Sequence, residues 1–433
     1  MKRIKFIILL IFISYNGYSQ EVLSFRNAIE KALLNNYSIR IAKVNQKIAQ
    51  NNFSSGKAGM QPRIDVNAGY TYQNNEIDLE LATGQRIVKS GNSQTSYNAG
   101  IQLNYNLFDG LAMFVNYDKL EELKNKSDIE LQIAIENNIQ SLANAYIQAL
   151  KLQNSLKILK RNLEISNERL ERLKIKKEFG NALQVELLKA EVDRNIDSAN
   201  YLKTELAYKN AINNLNFIMG EKIEANFKVD ESIGLDGFQN LNELRSLAAN
   251  SNSNILRAIK NKDISELDKK LIVSSFLPRI SLNLGYSINN QESKAGFILF
   301  NQTNGIIAGV NLNWNLFNGK QDDINRQNAE LAVEISNITI EQIKSQIDLA
   351  IINNYETYKK REEILSFEKN NYKSAELNFL RTKEFYELGQ ASSLDLRQAQ
   401  INLTAQEIRI IEAELDYELS KIELSLLVGR KLF

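Results

Sequence analysis

The stretch Tyr97-Asn98-Ala99-Gly100-Ile101-Gln102-Leu103-Asn104-Tyr105-Asn106-Leu107 decides the fold. Tyr97, Ala99, Ile101, Leu103, Tyr105 and Leu107 alternate one by one with Asn98, Gly100, Gln102, Asn104 and Asn106. A period of two is that of a β-strand with one apolar face and one small, polar face. Three more segments read the same way. From Pro62 the apolar set is Ile64, Val66, Ala68, Tyr70 and Tyr72; from Pro278 it is Ile280, Leu282, Leu284, Tyr286 and Ile288. Over 306–316 it is Ile306, Ala308, Val310, Leu312, Trp314 and Leu316. Residues 74–96 and 290–305, rich in Asn, Gln, Ser and Gly, are predicted to be loops.

Each predicted strand has about 10 to 12 residues, the length that crosses a bilayer when tilted. Aromatic residues stand toward the strand ends, as in a barrel with a lipid-facing outside and a wet lumen. A half-buried sheet in a soluble protein alternates identically; length, aromatic placement and an export signal favour the barrel. Four strands cannot close one, and an open sheet edge cannot sit in lipid. Several chains must share it. Two would give eight strands, a size filled by side chains, whereas three would give twelve and leave a channel behind the Asn- and Gly-rich face.

The export signal is at the start. Lys2, Arg3 and Lys5 precede the apolar run 6–13, and Gly17 and Ser19 have cleavage-site spacing. Residues 1–19 read as a secretory signal peptide, the run being too short for an anchor helix. Its removal turns a formal charge of +1 into −2.

The chain is written twice. Pro62-Arg63-Ile64 recurs as Pro278-Arg279-Ile280, and Leu107-Phe108-Asp109-Gly110 as Leu316-Phe317-Asn318-Gly319. Gly180 matches Gly389, and Met219-Gly220 matches Val428-Gly429. The predicted organisation is a first repeat over 20–220, a linker over 221–239 and a second repeat over 240–433. Each repeat begins with a helix (24–57 and 240–275), continues with two strands and ends with two long helices around a Gly-marked turn. Residues 111–178 and 320–387 hold no Pro or Gly. Unbroken, each would be a helix on the order of 100 Å long, able to pack only along other helices. Gly110 and Gly319 mark the bends from strand to helix, where Asp109 or Asn318 can cap the next helix. The fold class is membrane α+β.

Composition removes most catalytic readings. Neither His nor Cys occurs among the 433 residues, so imidazole catalysis, thiol chemistry and the usual zinc sites are excluded. No catalytic, cofactor-binding or metal-ligating set is predicted. With 53 basic against 52 acidic residues, no net field recommends nucleic acid. The basic-rich stretch 169–177, interleaved by Glu171, reads as a solvated helix face. The competing reading is a secreted coiled-coil structural or adhesion protein without a channel.

The plan resembles the TolC family of outer-membrane efflux proteins. The likeness spans about residues 22–429. It rests on the doubling and on Ala32-Leu33-Leu34-Asn35-Asn36, Ala145-Tyr146, Leu277-Pro278-Arg279-Ile280-Ser281 and Leu388-Gly389-Gln390-Ala391-Ser392-Ser393-Leu394-Asp395. The resemblance implies a homotrimer with a shared twelve-stranded barrel in the outer membrane of a Gram-negative cell, continuing as a helical tube into the periplasm. It implies a passive exit duct for efflux or type I secretion, docking on a periplasmic adaptor and through it on an inner-membrane transporter. It places a constriction near the two turns, with Asp395 matching the first of two family Asp positions, Gln398 departing at the second, and Glu186 equivalent to Asp395 in the first repeat. Gly180 and Gly389 would mark the adaptor-docking tips.

Overall fold

The computed structural model describes residues 22–225, 227–234, 236–294 and 298–430; the expected signal peptide lies outside the described residues. The elements run β1 (Val22–Leu23), α1 (Phe25–Asn35), α2 (Tyr37–Asn52), α3 (Ser55–Ala58), β2 (Arg63–Glu80), β3 (Arg86–Phe108), α4 (Ala112–Glu178) and α5 (Gln184–Met219). Then come β4 (Lys228–Val229), α6 (Leu241–Ser251), α7 (Ser253–Ser274), β5 (Arg279–Ser293), β6 (Phe300–Asn313), α8 (Gln321–Glu387) and α9 (Ser393–Leu427). The chain divides into two compact units, each drawing on both repeats.

One unit holds residues 42–132 and 253–345. Its centre is an antiparallel sheet of order β2-β3-β5-β6. Val66, Ile101, Tyr286 and Ile306 form one cross-strand row, and Asn67, Gly100, Ser287 and Gly305 the row behind it on the opposite face. Among the described residues the apolar face is open: Val66 is 76% and Ile306 81% exposed. Such a face is stable only in lipid or against a partner.

The strands outrun their expected lengths. β2 has 18 residues and β3 has 23, so most of 74–96 is strand, as is much of 290–305. The preponderance of polar residues there hid this extension, because backbone pairing needs no continuous apolar face. Beyond Asn75–Asn92 the two strands continue as a ribbon, with Leu79 opposite Ile87 and an Arg86–Asp78 ion pair at 2.6 Å. Tyr97 therefore stands at mid-strand. It lies eight residues from Tyr105, roughly 27 Å along the strand and about 20 Å in height at a barrel strand's tilt, within the apolar band of about 25 Å. The fourth strand ends at Asn313, three residues before its expected end.

The other unit comprises the chain up to Ile41, Ile133–Asn252 and the chain from Gln346. Leu23, Phe25, Ala28 and Ala32 pack with Leu142, Tyr146 and Leu150 of α4, Leu215 and Met219 of α5, and Ile422 of α9. Full burial stabilises by about 1.5–3 kcal/mol per large side chain. A second cluster gathers Phe238, Leu244, Ile351, Tyr358 and Leu424. The segment 221–239 takes part in both: β4 pairs in parallel with β1, burying Val229, and Phe238 enters the second cluster.

Each expected opening helix is broken at an Asn. Asn36 leaves helical geometry; its side chain accepts from the Ile39 N–H at 3.1 Å and donates to the Ile218 carbonyl at 2.8 Å. Asn252 donates to the Leu427 carbonyl at 2.8 Å. Asn competes well with backbone for such bonds, which is why it ends helices.

Candidate functional site

The two helical turns are built alike. After α4, Gly180 has φ 73°, its N–H donates to the Lys177 carbonyl at 2.9 Å, and the Asn181 N–H donates to that of Lys176 at 2.8 Å. After α8, Gly389 has φ 76° and the Gln390 N–H donates to the Phe385 carbonyl at 2.7 Å. Both ends are Gly-terminated helix stops in which the left-handed residue lets orphan carbonyls find donors.

The helices that follow start differently. Ser392 caps α9: its hydroxyl accepts from the Asp395 N–H at 3.2 Å, while Asp395 Oδ2 accepts from the Ser392 N–H at 3.0 Å and from its hydroxyl at 2.6 Å. This is a reciprocal capping box. The Ser392 hydroxyl, then its backbone N–H, hold the Asp395 carboxyl below the ordinary carboxylate range. At α5 the cap position is Leu183, which has no side-chain acceptor, so only half the box exists: Glu186 Oε2 accepts from the Leu183 N–H at 3.4 Å.

Asp395 and Gln398 lie on one exposed stripe of α9, three residues apart, and Gln398 donates to Asn402 Oδ1 at 3.0 Å. Glu186 is exposed on α5. The turns also expose apolar side chains: Phe179 and Leu183 at the first, Leu388 and Leu394 at the second.

The opposite face of α9 carries a polar cluster that the sequence did not reveal. Arg397 grips Asp197 of α5 with Nη1 on Oδ2 at 2.6 Å and Nη2 on Oδ1 at 3.0 Å. Ser166 of α4 donates to the same carboxylate at 2.5 Å. Gln400 donates to Asn162 Oδ1 at 2.7 Å and to Ser166 Oγ at 3.1 Å. Arg169 pairs with Asp193 and is 3% exposed, which corrects the reading of 169–177 as wholly solvated: α4 turns Arg169, Leu170 and Leu173 inward and the remainder outward. Buried charges of this kind need both partner and hydrogen bonds. No repeat pattern could expose the cluster, because Leu188 stands at the first-repeat position matching Arg397 and Gln406 at the second-repeat position matching Asp197.

Gly110 lies between β3 and α4, and Gly319 between β6 and α8. Gly110 and Leu111 have φ 73° and 71°, and Gly319 and Lys320 have 71° and 68°. Two successive left-handed residues make each bend, and the non-Gly member is strained. Asn318 Oδ1 accepts from the Asp322 N–H at 3.4 Å, as a cap should. Asp109 Oδ1 is instead buried without a partner among the described residues, a departure from its expected capping role.

The family model of outer membrane efflux proteins matches this chain twice, over residues 28–221 and 244–430. The chain is similar to the outer membrane efflux protein BepC of Brucella suis, at 21% identity over 408 residues covering 93% of this chain and 84% of that protein. Its fold is similar to the crystal structure of the CmeC outer membrane channel of Campylobacter jejuni, with TM-score 0.76, 16% identity and coverage of 94% and 85%. It is likewise similar to the outer membrane protein VceC of Vibrio cholerae, with TM-score 0.73, 16% identity and coverage of 94% and 97%.

Proposed function

Since this chain belongs to the outer membrane efflux protein family, passive channels of the outer membrane that extend into the periplasm and catalyse no reaction, we propose that three copies close one twelve-stranded barrel and dock by their helical turns on a periplasmic adaptor. The observation that carries the trimer is the open four-stranded sheet with an uncovered apolar face, which lipid tolerates only when its edges are paired. The adaptor would seat on the exposed Phe179, Leu183, Leu388 and Leu394, which surround Gly180 and Gly389, and would connect the duct to an inner-membrane transporter. The secreted, non-channel alternative falls with the family assignment.

Asp395 is our candidate for the constriction, with Gln398 beside it and Glu186 as a weaker counterpart. On a threefold axis, three Asp395 carboxylates would attract cations and push each other's protonation upward, against the lowering that Ser392 imposes in one protomer. The test is conductance of the purified protein in a planar bilayer. Discrete cation-selective steps are expected, with selectivity reduced in Asp395→Ala. Unchanged selectivity in that variant removes Asp395 from the constriction. A protein that stays soluble without detergent removes the barrel.

A further inference from the structure

The two hairpins obey one register. Ile64 of β2 faces Leu103 of β3. Ile280 and Leu312, their counterparts 216 and 209 residues on, face each other in β5 and β6. Asn67 with Gly100 and Asn283 with Gly309 repeat the relation. The duplication therefore preserves pairing as well as residue pattern. A third pairing, β3 with β5, joins the second strand of one repeat to the first strand of the other, setting Ile101 opposite Tyr286 and Leu103 opposite Leu284.

β6 and β2 are the outer strands of the sheet. By the same offsets, β6 is the counterpart of β3 and β2 the counterpart of β5. We propose that the seam between protomers repeats the register of the internal β3–β5 junction: Val310 of one copy faces Tyr70 of the next, with Leu312 on Ala68 and Ala308 on Tyr72. The inference rests on the shared-barrel reading above and specifies the edge by which a second copy docks.

Three observations support this register. It sets the apolar row of β6 beside the apolar row of β2, whereas a slip of one residue would turn one row into the lumen. It brings Phe300, the first residue of β6, opposite Glu80, the last of β2, so the strand ends are flush there. And β3, flanked on both sides, runs to Phe108, whereas β6, flanked on one side, stops at Asn313, four residues short of its counterpart Phe317. The missing neighbour is the one the seam supplies. Val310 and Tyr70 are 63% and 65% exposed in the protomer, free to receive it.

The chain has no Cys, so disulfide trapping has no background. Directly opposed residues in an antiparallel pair have Cα atoms about 4.5–5.5 Å apart, within disulfide reach, while diagonal positions at about 7–8 Å are not. Val310→Cys combined with Tyr70→Cys should oxidise to covalent dimers and closed trimers on non-reducing gels. Leu312→Cys with Ala68→Cys should do the same, guarding against a single pair that misfolds. The diagonal pair Val310→Cys with Ala68→Cys should give roughly tenfold less. The single-Cys variants are weighed by native mass spectrometry in detergent. Trimers that link best through the diagonal pair, or through neither opposed pair, overturn the register and leave the shared barrel standing. Monomers overturn the shared barrel and the seam with it.

Discussion

Arg397 and Asp197 form a two-pronged ion pair between α9 and α5, with side chains only 8% and 6% exposed. Their separation of 200 residues means that this contact ties the second repeat to the first. Desolvating both charges is costly, so the pair is no guarantee of net stability, but breaking one side leaves an uncompensated charge. Asp197→Ala should destabilise by about 3 kcal/mol, the lower end of the cost of stranding a buried charge, because Asp193 Oδ2 remains 3.8 Å from Arg397 and offsets part of the loss. Adding Arg397→Leu should restore at least about 1 kcal/mol of that loss. Denaturant unfolding at fixed protein concentration measures both, and strictly additive losses would contradict a coupled pair.

The Ser392–Asp395 box makes the second turn acid-sensitive. The folded-state carboxyl of Asp395 titrates below its ordinary value because Ser392 donates to its charged form. Such a group contributes stability above the unfolded carboxylate range and loses it as pH falls through the lowered folded value. Protection of the amides at the start of α9, taken relative to the intrinsic exchange rate at each pH, should therefore fall in acid. In Ser392→Ala, which lacks the hydroxyl, the Asp395 titration should move up toward the ordinary carboxylate range. An NMR titration that finds the same midpoint in both proteins removes the cap as the cause.

The sheet was legible in sequence because lipid on one side and a polar lumen on the other impose strict alternation, as from Tyr97 to Leu107. The ribbon over Asn75–Glu80 and Arg86–Asn92 was not, because its few apolar residues, Ile77, Leu79, Ile87 and Val88, are spread over both faces among charged and Asn residues, and backbone bonds hold it. The long helices were legible from the absence of Pro and Gly. Their interior polar groups were not: Arg169 looks like its solvated neighbours until Asp193 and the α9 backbone close over it. The Ser392-x-x-Asp395 spacing did carry a readable helix-start signal, whereas the constriction reading of Asp395 came from resemblance alone.

The matched bends should respond unequally to one substitution. At Gly110 a Cβ would collide with the Ser274 carbonyl and press on Leu277, whereas at Gly319 it would meet nothing within 4 Å. Both positions have positive φ, so Ala costs about 1–2 kcal/mol in either. Gly110→Ala should cost more by a further 1 kcal/mol or so, because the carbonyl is backbone and yields little. Thermal unfolding of the two variants side by side reads the difference, and equal losses would mean that α7 gives way beneath Gly110.

Tyr146 offers the cleanest test of what fastens the chain start to the helices. Its ring is fully buried and packs edge-on against Phe25 at 5.2 Å. Its hydroxyl lies 2.9 Å from both the Leu23 carbonyl of β1 and the Asp230 carbonyl just beyond β4. One proton serves two acceptors that belong to the two strands of the small parallel sheet. Burial, with Asp230 adding to it, pushes the phenol well above its ordinary value, so it stays a donor at any physiological pH. Tyr146→Phe keeps the ring and removes the donor. The expected loss is about 1–3 kcal/mol, the cost of leaving buried carbonyls unpaired. Because the ring packing survives, the loss should concentrate where the bond acts, and amide exchange should quicken across β1 and β4 while α5 keeps its protection. Uniform quickening across all three would show that the hydroxyl supports the whole cluster and is not a local clasp.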